Sequence, residues 1–455
     1  MNHEVAAGGQ IVMGPHFWIA TAIFLLAYAL IIYDKIHKTI IAIFCAALLI
    51  VLGIITQEEA FNSMTLGVDW NVIFLLVSMM VIINIMKPTG VFEYIAIKSA
   101  KTAKGKPFMI MAIFSTVTAV VSAFLDNVTT VLLIAPVTLL ICQALELEVE
   151  PFLITEALAS NIGGTATLIG DPPNIMIASK AQLDFMSFVY HLTPVIIVVL
   201  IAFIVSIKFI FGRRMTVKEE LRLRVMAMDE NEAIKDPLLL KKSLVVLTVT
   251  MTGFVLHGMF HLQPATIALF GAGLLLLVSG TKDPHRVLAE AEWATLFFFI
   301  GLFIIIGAVV KVGLINWMSI KVLEFTHGNL LGTSMIVLWF SAFASAFIDN
   351  IPYVATMNPL IIDMAKQLWP NISGVELLHH PDLMPMWWSL ALGACLGGNG
   401  TAIGASANVV VVGMAEKMGR PISFKRFMLY GMPLMIESVI ICMVYIWLRY
   451  YVLQI

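Results

Sequence analysis

FLDNVTTVLLIAP at 124–136 and FIDNIPYVATMNP at 347–359 are two versions of one string. Each sets an Asp-Asn pair inside an apolar run and a proline further along, Pro136 in one and Pro359 in the other. A carboxylate in such a setting is expensive unless it is paired, protonated or holding a cation. Working outward, the same offset of 223 residues joins Trp70 to Trp293 and Lys98 to Lys321. Further on, GGTATLIGDPPN at 163–174 answers GGNGTAIGASAN at 397–408, at an offset of 234. The additional residues lie in the polar stretch around 366–385. The chain therefore reads as two copies of one unit, 1–211 and 243–455, joined by a linker at 212–242.

Composition fixes the solvent. Of 455 residues, 60% are hydrophobic and only 12% charged, and the mean hydropathy is +0.96. That balance excludes a disordered chain, a nucleic-acid binder and an ordinary soluble enzyme. Long apolar runs without period-two alternation exclude a transmembrane barrel. An all-α polytopic membrane protein remains, with the lipid bilayer as its main partner. A net charge of −2 suggests no polyanionic ligand. Cys45, Cys142, Cys395 and Cys442 stand singly in apolar segments, which suits core packing rather than a disulfide framework or a metal site.

A helix needs roughly 20 apolar residues to cross the hydrocarbon. Clear spans are expected at 17–33, 38–55, 70–87, 190–211, 243–260, 264–280, 293–310 and 427–449. Four further apolar regions carry Asp, Asn, Thr, Pro or paired Gly in mid-segment. Irregular polar backbone at membrane depth survives only inside protein or beside a water-filled cavity. Regions 108–143 and 333–365 are read as re-entrant hairpins, and 151–180 and 386–418 as broken helices that cross. Each unit then has five crossings plus one hairpin, ten crossings in all. Five is odd, so the second unit enters the membrane inverted, an arrangement typical of secondary transporters. With the 212–242 loop inside, 22 of the 27 Lys and Arg residues fall on the cytoplasmic side, Arg213, Arg214, Lys38 and Lys282 among them. Both termini are then expected outside, and the linker is expected to be a short solvated segment rather than a domain.

Chemistry is expected at the interruptions. At the first tip, Asp126, Asn127, Thr129 and Thr130 offer oxygens; at the second, Asp349 and Asn350 do so beside Pro352 and Tyr353. Each Asp can cap the half-helix that follows it and still ligate a cation. Na⁺ is a candidate at Asp126, Asn127, Asp349 and Asn350. The glycine pairs Gly163-Gly164 and Gly397-Gly398 allow helix breaks and close approach, and Pro172-Pro173 cannot continue a helix. Such breaks free carbonyls for a cation and N–H groups for an anion. Thr165, Thr167, Asp171 and Asn174 belong to the first break, and Asn399, Thr401, Ser406 and Asn408 to the second. Asp171 has no acidic partner in the other copy, where Ala405 stands; it is read as a third ligand or as an acceptor that locks its own loop. No Lys or Arg lies inside these four regions' cores. Glu156 and Glu437 are further intramembrane acids, the first at an interface, the second a relay group or a hydrogen-bonded interior acid. His257 and His261 map to an external turn and lack a third metal ligand. With no nucleophile–base pair and no metal cluster, an enzyme is not expected, nor any cofactor beyond a coupling ion, H⁺ or Na⁺.

The strings FLDNVTTVLLIAPV, SNIGGTATLIGDPPN and LGACLGGNGTAIGASANVVVVGMAEKMG resemble the P protein of pigment cells and its prokaryotic relatives. These stand with the arsenical-pump and NhaD-type sodium/proton antiporter permeases in the ion transporter superfamily, alongside citrate and dicarboxylate carriers. The resemblance spans almost the whole chain. It implies a scaffold and a transport unit, an elevator-type motion, a homodimer, and a prokaryotic plasma-membrane location. Under it the tips and breaks form the ion and substrate sites. The carboxylate carriers have a Ser-Asn-Thr pattern at their tips; the Asp-Asn pairs here depart from it. The expected function is an ion-coupled secondary transporter, by Na⁺/H⁺ antiport or arsenite or anion transport. An anion channel-like conduit or an organic-acid carrier is the alternative, and an accessory ATPase is left open.

Overall fold

A computed structural model describes residues 13–33, 35–212, 215–280 and 283–454. Among these residues eighteen helices have ten or more residues, nine on each side of the linker. In the first half they are α1 (Pro15–Tyr33), α2 (Lys38–Val51), α3 (Trp70–Met86), α4 (Val91–Thr102), α5 (Pro107–Ser122), α6 (Asn127–Ala144), α7 (Glu150–Gly164), α8 (Pro172–Ala181) and α9 (Thr193–Phe211). In the second they are α10 (Pro237–Phe260), α11 (Pro264–Ser279), α12 (Trp293–Lys311), α13 (Leu314–Thr326), α14 (Leu330–Phe347), α15 (Asn350–Leu368), α16 (Met384–Gly397), α17 (Ser406–Lys417) and α18 (Phe424–Ile446). Local chemistry sets many of the boundaries. Asp69, Asp126, Asp236, Asn329, Asp349 and Ser423 accept backbone N–H bonds as N-caps. Proline opens α5, α8, α10 and α11, where its missing N–H costs nothing.

The two halves pack reciprocally. Helix α2 lies on α12, and their counterparts α11 and α3 lie together in the same way. Within each half the first hairpin arm lies on the first segment of the broken helix, α5 on α7 and α14 on α16. Across the halves, the second arm packs on the other copy's second segment, α6 on α17 and α15 on α8. Side-chain bonds repeat too. The Ser122 hydroxyl donates to Ser160 O at 2.7 Å, and Ser345 donates to Ala394 O at 2.6 Å. Close approach explains the glycines. A Cβ on Gly163 would stand 1.9 Å from Ala119 O, and one on Gly397 would stand 2.5 Å from Ala342 O.

Eight helical segments are long and apolar enough to cross a membrane: 15–33, 70–89, 127–144, 193–211, 237–260, 293–311, 330–347 and 424–452. Six coincide with expected spans. The expected spans 38–55 and 264–280 are shorter helices, Lys38–Val51 and Pro264–Ser279, because Gly53 and Gly280 take positive φ and end them. The other two long segments are hairpin arms, α6 and α14, which the sequence had read as re-entrant. Of these eight, α3 and α12 are the most enclosed, whereas α1, α9 and α10 leave broad apolar faces outward, as lipid contact requires. Of the linker, Arg213 and Arg214 lie outside the described residues, as do Lys282 and residues 1–12. The rest is tied down rather than loose. Lys98 and Lys101 both pair with Glu230, Lys101 also donates to Met228 O at 3.0 Å, and Lys235 N–H reaches Thr89 O at 2.9 Å. The two ammonium groups, Lys101 foremost, pull the Glu230 carboxyl down to about 2.

Candidate functional site

The turn at 123–126 ends α5 and starts α6, and the turn at 348–349 does the same between α14 and α15. Asp126 Oδ1 accepts the N–H groups of Val128 and Thr129 at 3.0 and 3.1 Å, and its Oδ2 accepts the Thr129 hydroxyl. Asp349 Oδ1 accepts Ile351 N–H at 3.1 Å. Both acids are thus caps; Asp126 keeps both oxygens on its own turn, whereas Asp349 Oδ2 is turned away from its helix N-terminus.

The breaks follow one plan. In the first, Asn174 Nδ2 donates to Thr165 O at 3.1 Å and Thr167 O at 2.9 Å. In the second, Asn408 Nδ2 donates to Gly398 O at 2.8 Å and Thr401 O at 2.9 Å. Thr167 anchors its break to the first tip turn through Ala123 O, and Thr401 anchors its break to the end of α14 through Ala346 O. Thr165 donates to Asn161 O at 2.6 Å within its own helix. These five side chains, expected as ligands, spend their donors on fixing backbone. Gly163, Gly164, Gly397 and Gly398 serve close packing, since a Cβ on any of them would meet neighbouring atoms at 3.0 Å or less. Thr130 is buried one turn into α6, its hydroxyl without a protein partner.

The remaining predicted residues converge. Asp126, Asn127, Asp171, Asn350 and Ser406 line one cavity of about 20 Å³ between the tips. Asn350 Nδ2 reaches both oxygens of Asp171, at 3.4 and 3.3 Å. Asp171 makes no side-chain bond to the start of α8, so of its two readings the loop lock does not hold; it faces the other copy's tip. Asp349 adjoins the cavity through its contact with Ser406, 3.2 Å away. A space of this size holds about one water-sized particle.

Several participants were invisible in the sequence. Asn161 accepts from Asn127 Nδ2 at 2.9 Å and donates to Asn399 Oδ1 at 2.9 Å and Asn408 Oδ1 at 3.1 Å, so it joins a tip to the opposite break. Its place in the second copy is taken by Cys395, whose thiol donates to Asn174 Oδ1 at 3.5 Å. The offset of 234 pairs these two residues, and that pairing was the available signal. Glu292 and Thr295, at the start of α12, also line the cavity, though they lie outside the four interrupted regions. The cores of the four interrupted regions hold no Lys or Arg, yet Lys38 reaches the site from α2. Its Nζ lies 2.5 Å from Asp349 Oδ2 and 3.0 Å from Ser406 Oγ. Lys38 opens a helix from elsewhere in the chain, so only folding brings it here. Among the described residues no three His, Cys, Asp or Glu side chains form a metal-holding group.

The other polar candidates are accounted for. Glu156 is buried within the protein and takes a hydrogen bond from Thr138. Glu437 accepts from Ser206 at 2.8 Å, as a hydrogen-bonded interior acid. His257 sits in the last turn of α10, buried, and accepts Phe185 N–H at 3.1 Å. All four cysteines are buried and free.

Acid-tipped hairpins and broken helices lie within an apolar helical shell of the kind a multi-pass membrane protein has. The family model of the CitMHS citrate transporters matches residues 28–393, and the chain belongs to this family, within the ion transporter superfamily. An uncharacterized transporter of Mycobacterium tuberculosis is 48% identical over 436 residues, covering 96% of this chain and 99% of its own. The 46 kDa membrane protein of Mycobacterium leprae is 44% identical with the same coverage. The human P protein is 33% identical over 506 residues, an alignment that takes in 94% of this chain but 59% of the P protein. The crystal structure of the Alcanivorax borkumensis YdaH transporter shares the fold, with a TM-score of 0.50 at 12% identity over 95% of this chain and 98% of that one.

Proposed function

We propose that the protein is an ion-coupled secondary transporter in which a cation, H⁺ or Na⁺, binds at the Asp126 tip and drives exchange or co-movement of a small inorganic ion or solute. Na⁺/H⁺ antiport and arsenite or anion transport both fit this scheme. The observation that carries it is the convergence of Asp126, Asp171 and Asn350, from two hairpins and a break, on one cavity of about 20 Å³. Carboxylates enclosed together are costly unless a proton or cation neutralises them. Glu292 adds a third acid to the same walls. The water-sized space suits a bare ion. For coupling to work, the ligand must bind the two access states differently.

The reciprocal packing of the halves supports two inverted repeats of five crossings and a hairpin each. An elevator motion, a homodimer, a plasma-membrane location and external termini complete the proposal. An organic-acid carrier is the second reading, favoured by the match to a citrate transporter family. Purified protein in liposomes under imposed pH and sodium gradients, with a panel of ions and citrate, separates the two. Asp126→Asn is expected to fold and to lose ion-driven flux; full flux in that variant refutes the coupling site.

A further inference from the structure

The two tips are built on the same turn but differ in one donor set. Asp126 is satisfied locally, because Thr129 supplies both an N–H and a hydroxyl. At the offset of 223 the second tip has Pro352, which offers neither. Asp349 Oδ2 is therefore left without a donor from its own turn. A complementary exchange occurs at the breaks: the first has Pro172 where the second has Ser406. Ser406 donates to Asp349 Oδ2 at 3.2 Å, and the Lys38 ammonium donates to the same oxygen at 2.5 Å and to Ser406 Oγ at 3.0 Å. Lys38 Nζ also stands 5.0 Å from the centre of the Phe298 ring. A carboxylate oxygen, a hydroxyl oxygen and an aromatic face surround a single positive charge there. The Asp349 side chain is only 11% exposed, so its charge is largely removed from water. In the other half, α11 is the counterpart of α2, and its sequence PATIALFGAGLLLLVS carries no basic residue. The Asp126 tip thus has no such partner from the matching helix.

We propose that the Lys38 ammonium is the resident cation of the second tip: it fills the position between Asp349 and Ser406 that a free cation would take, and leaves the Asp126 tip as the exchangeable site. The second clause rests on the cation-coupling reading above; the first stands on the Lys38 geometry alone. The two tips then divide the work. One holds a fixed charge that cannot leave the protein, and the other holds the charge that crosses.

The test is thermal unfolding of detergent-purified protein. Sodium replaces choline at constant ionic strength, and a second series lowers the pH without sodium. Lys38→Met is expected to show a saturable rise in midpoint with sodium or protons beyond that of the wild type, as the vacated position accepts a free cation. Lys38→Met/Asp349→Asn is expected to lose that excess, and Lys38→Arg to behave as the wild type. A Lys38→Met response equal to the wild type, or an excess that persists in the double variant, overturns the proposal. Should Lys38→Met not fold, acylation of Lys38 by a water-soluble ester, read by mass spectrometry, gives the answer. It is expected to be several-fold faster in Asp349→Asn than in wild type, and equal rates overturn the proposal. If the wild type responds to neither ion while Lys38→Met does, the coupling reading fails and the resident-cation assignment stands.

Discussion

Asn161→Ala and Cys395→Ala remove symmetry-related side chains, yet their costs are expected to differ several-fold. Asn161 makes three interhelical bonds, to Asn127, Asn399 and Asn408. Interhelical hydrogen bonds in membrane proteins average about 0.6 kcal/mol, which puts the floor near 2 kcal/mol for three. Truncation also strips Asn127 Nδ2 of its acceptor, and Asn399 Oδ1 and Asn408 Oδ1 of the donor each has here. A buried polar group left unsatisfied costs about 1–3 kcal/mol, so the total reaches about 3–9 kcal/mol. Cys395 makes only thiol contacts, to Asn174 Oδ1 at 3.5 Å and to the Asp171 and Thr165 side chains, and a thiol is a weak donor. Its truncation costs about 1 kcal/mol, mostly as lost packing. The assay is unfolding of purified protein in mixed micelles by added dodecyl sulfate, followed by tryptophan fluorescence. Trp387 and Trp388, fully buried on α16, report on the broken-helix region. Equal costs for the two variants would refute the claim that Asn161 is the hydrogen-bonded joint between the first tip and the second break.

Two further outcomes follow from the same geometry. Gly163→Ala places a methyl 1.9 Å from Ala119 O and 2.4 Å from its Cα, so α5 and α7 must separate. That overpacking is expected to cost at least about 1–3 kcal/mol, while Gly273→Ala, with nothing within 4 Å, changes the unfolding midpoint little. Glu230 is held by Lys101 and Lys98 with its carboxyl pulled down to about 2. A depressed carboxyl contributes stability above its ordinary range and loses it as pH falls toward the folded value. Limited proteolysis of the linker is therefore expected to quicken in the wild type only below about pH 4.5, the ordinary value, and to be fast at neutral pH in Glu230→Gln.

The helical membrane class, the repeat and the position of the tips were legible in the sequence because each depends on order along the chain. Apolar runs of sufficient length must be helices in lipid, and two copies of an Asp-Asn string at one offset betray duplication whatever the fold. The breaks were legible for a similar reason: Gly pairs and Pro172-Pro173 act on their own backbone. The length of a span was less so, since positive φ at Gly53 ends α2 short of the expected 38–55.

What only the tertiary structure decided is which polar groups meet. Thr167, Thr401, Asn174 and Asn408 are oxygen-bearing residues in the right segments, yet their side chains hold backbone, because a break must satisfy its own orphaned carbonyls before it can bind anything. Lys38 and Glu292 reach the site from outside the four interrupted regions, and the partners of Asn161 and Cys395 are set by how the helices pack. A string of letters records neighbours in the chain; the identity of the cation beside Asp349 depends on a helix some three hundred residues away, and only packing sets that contact.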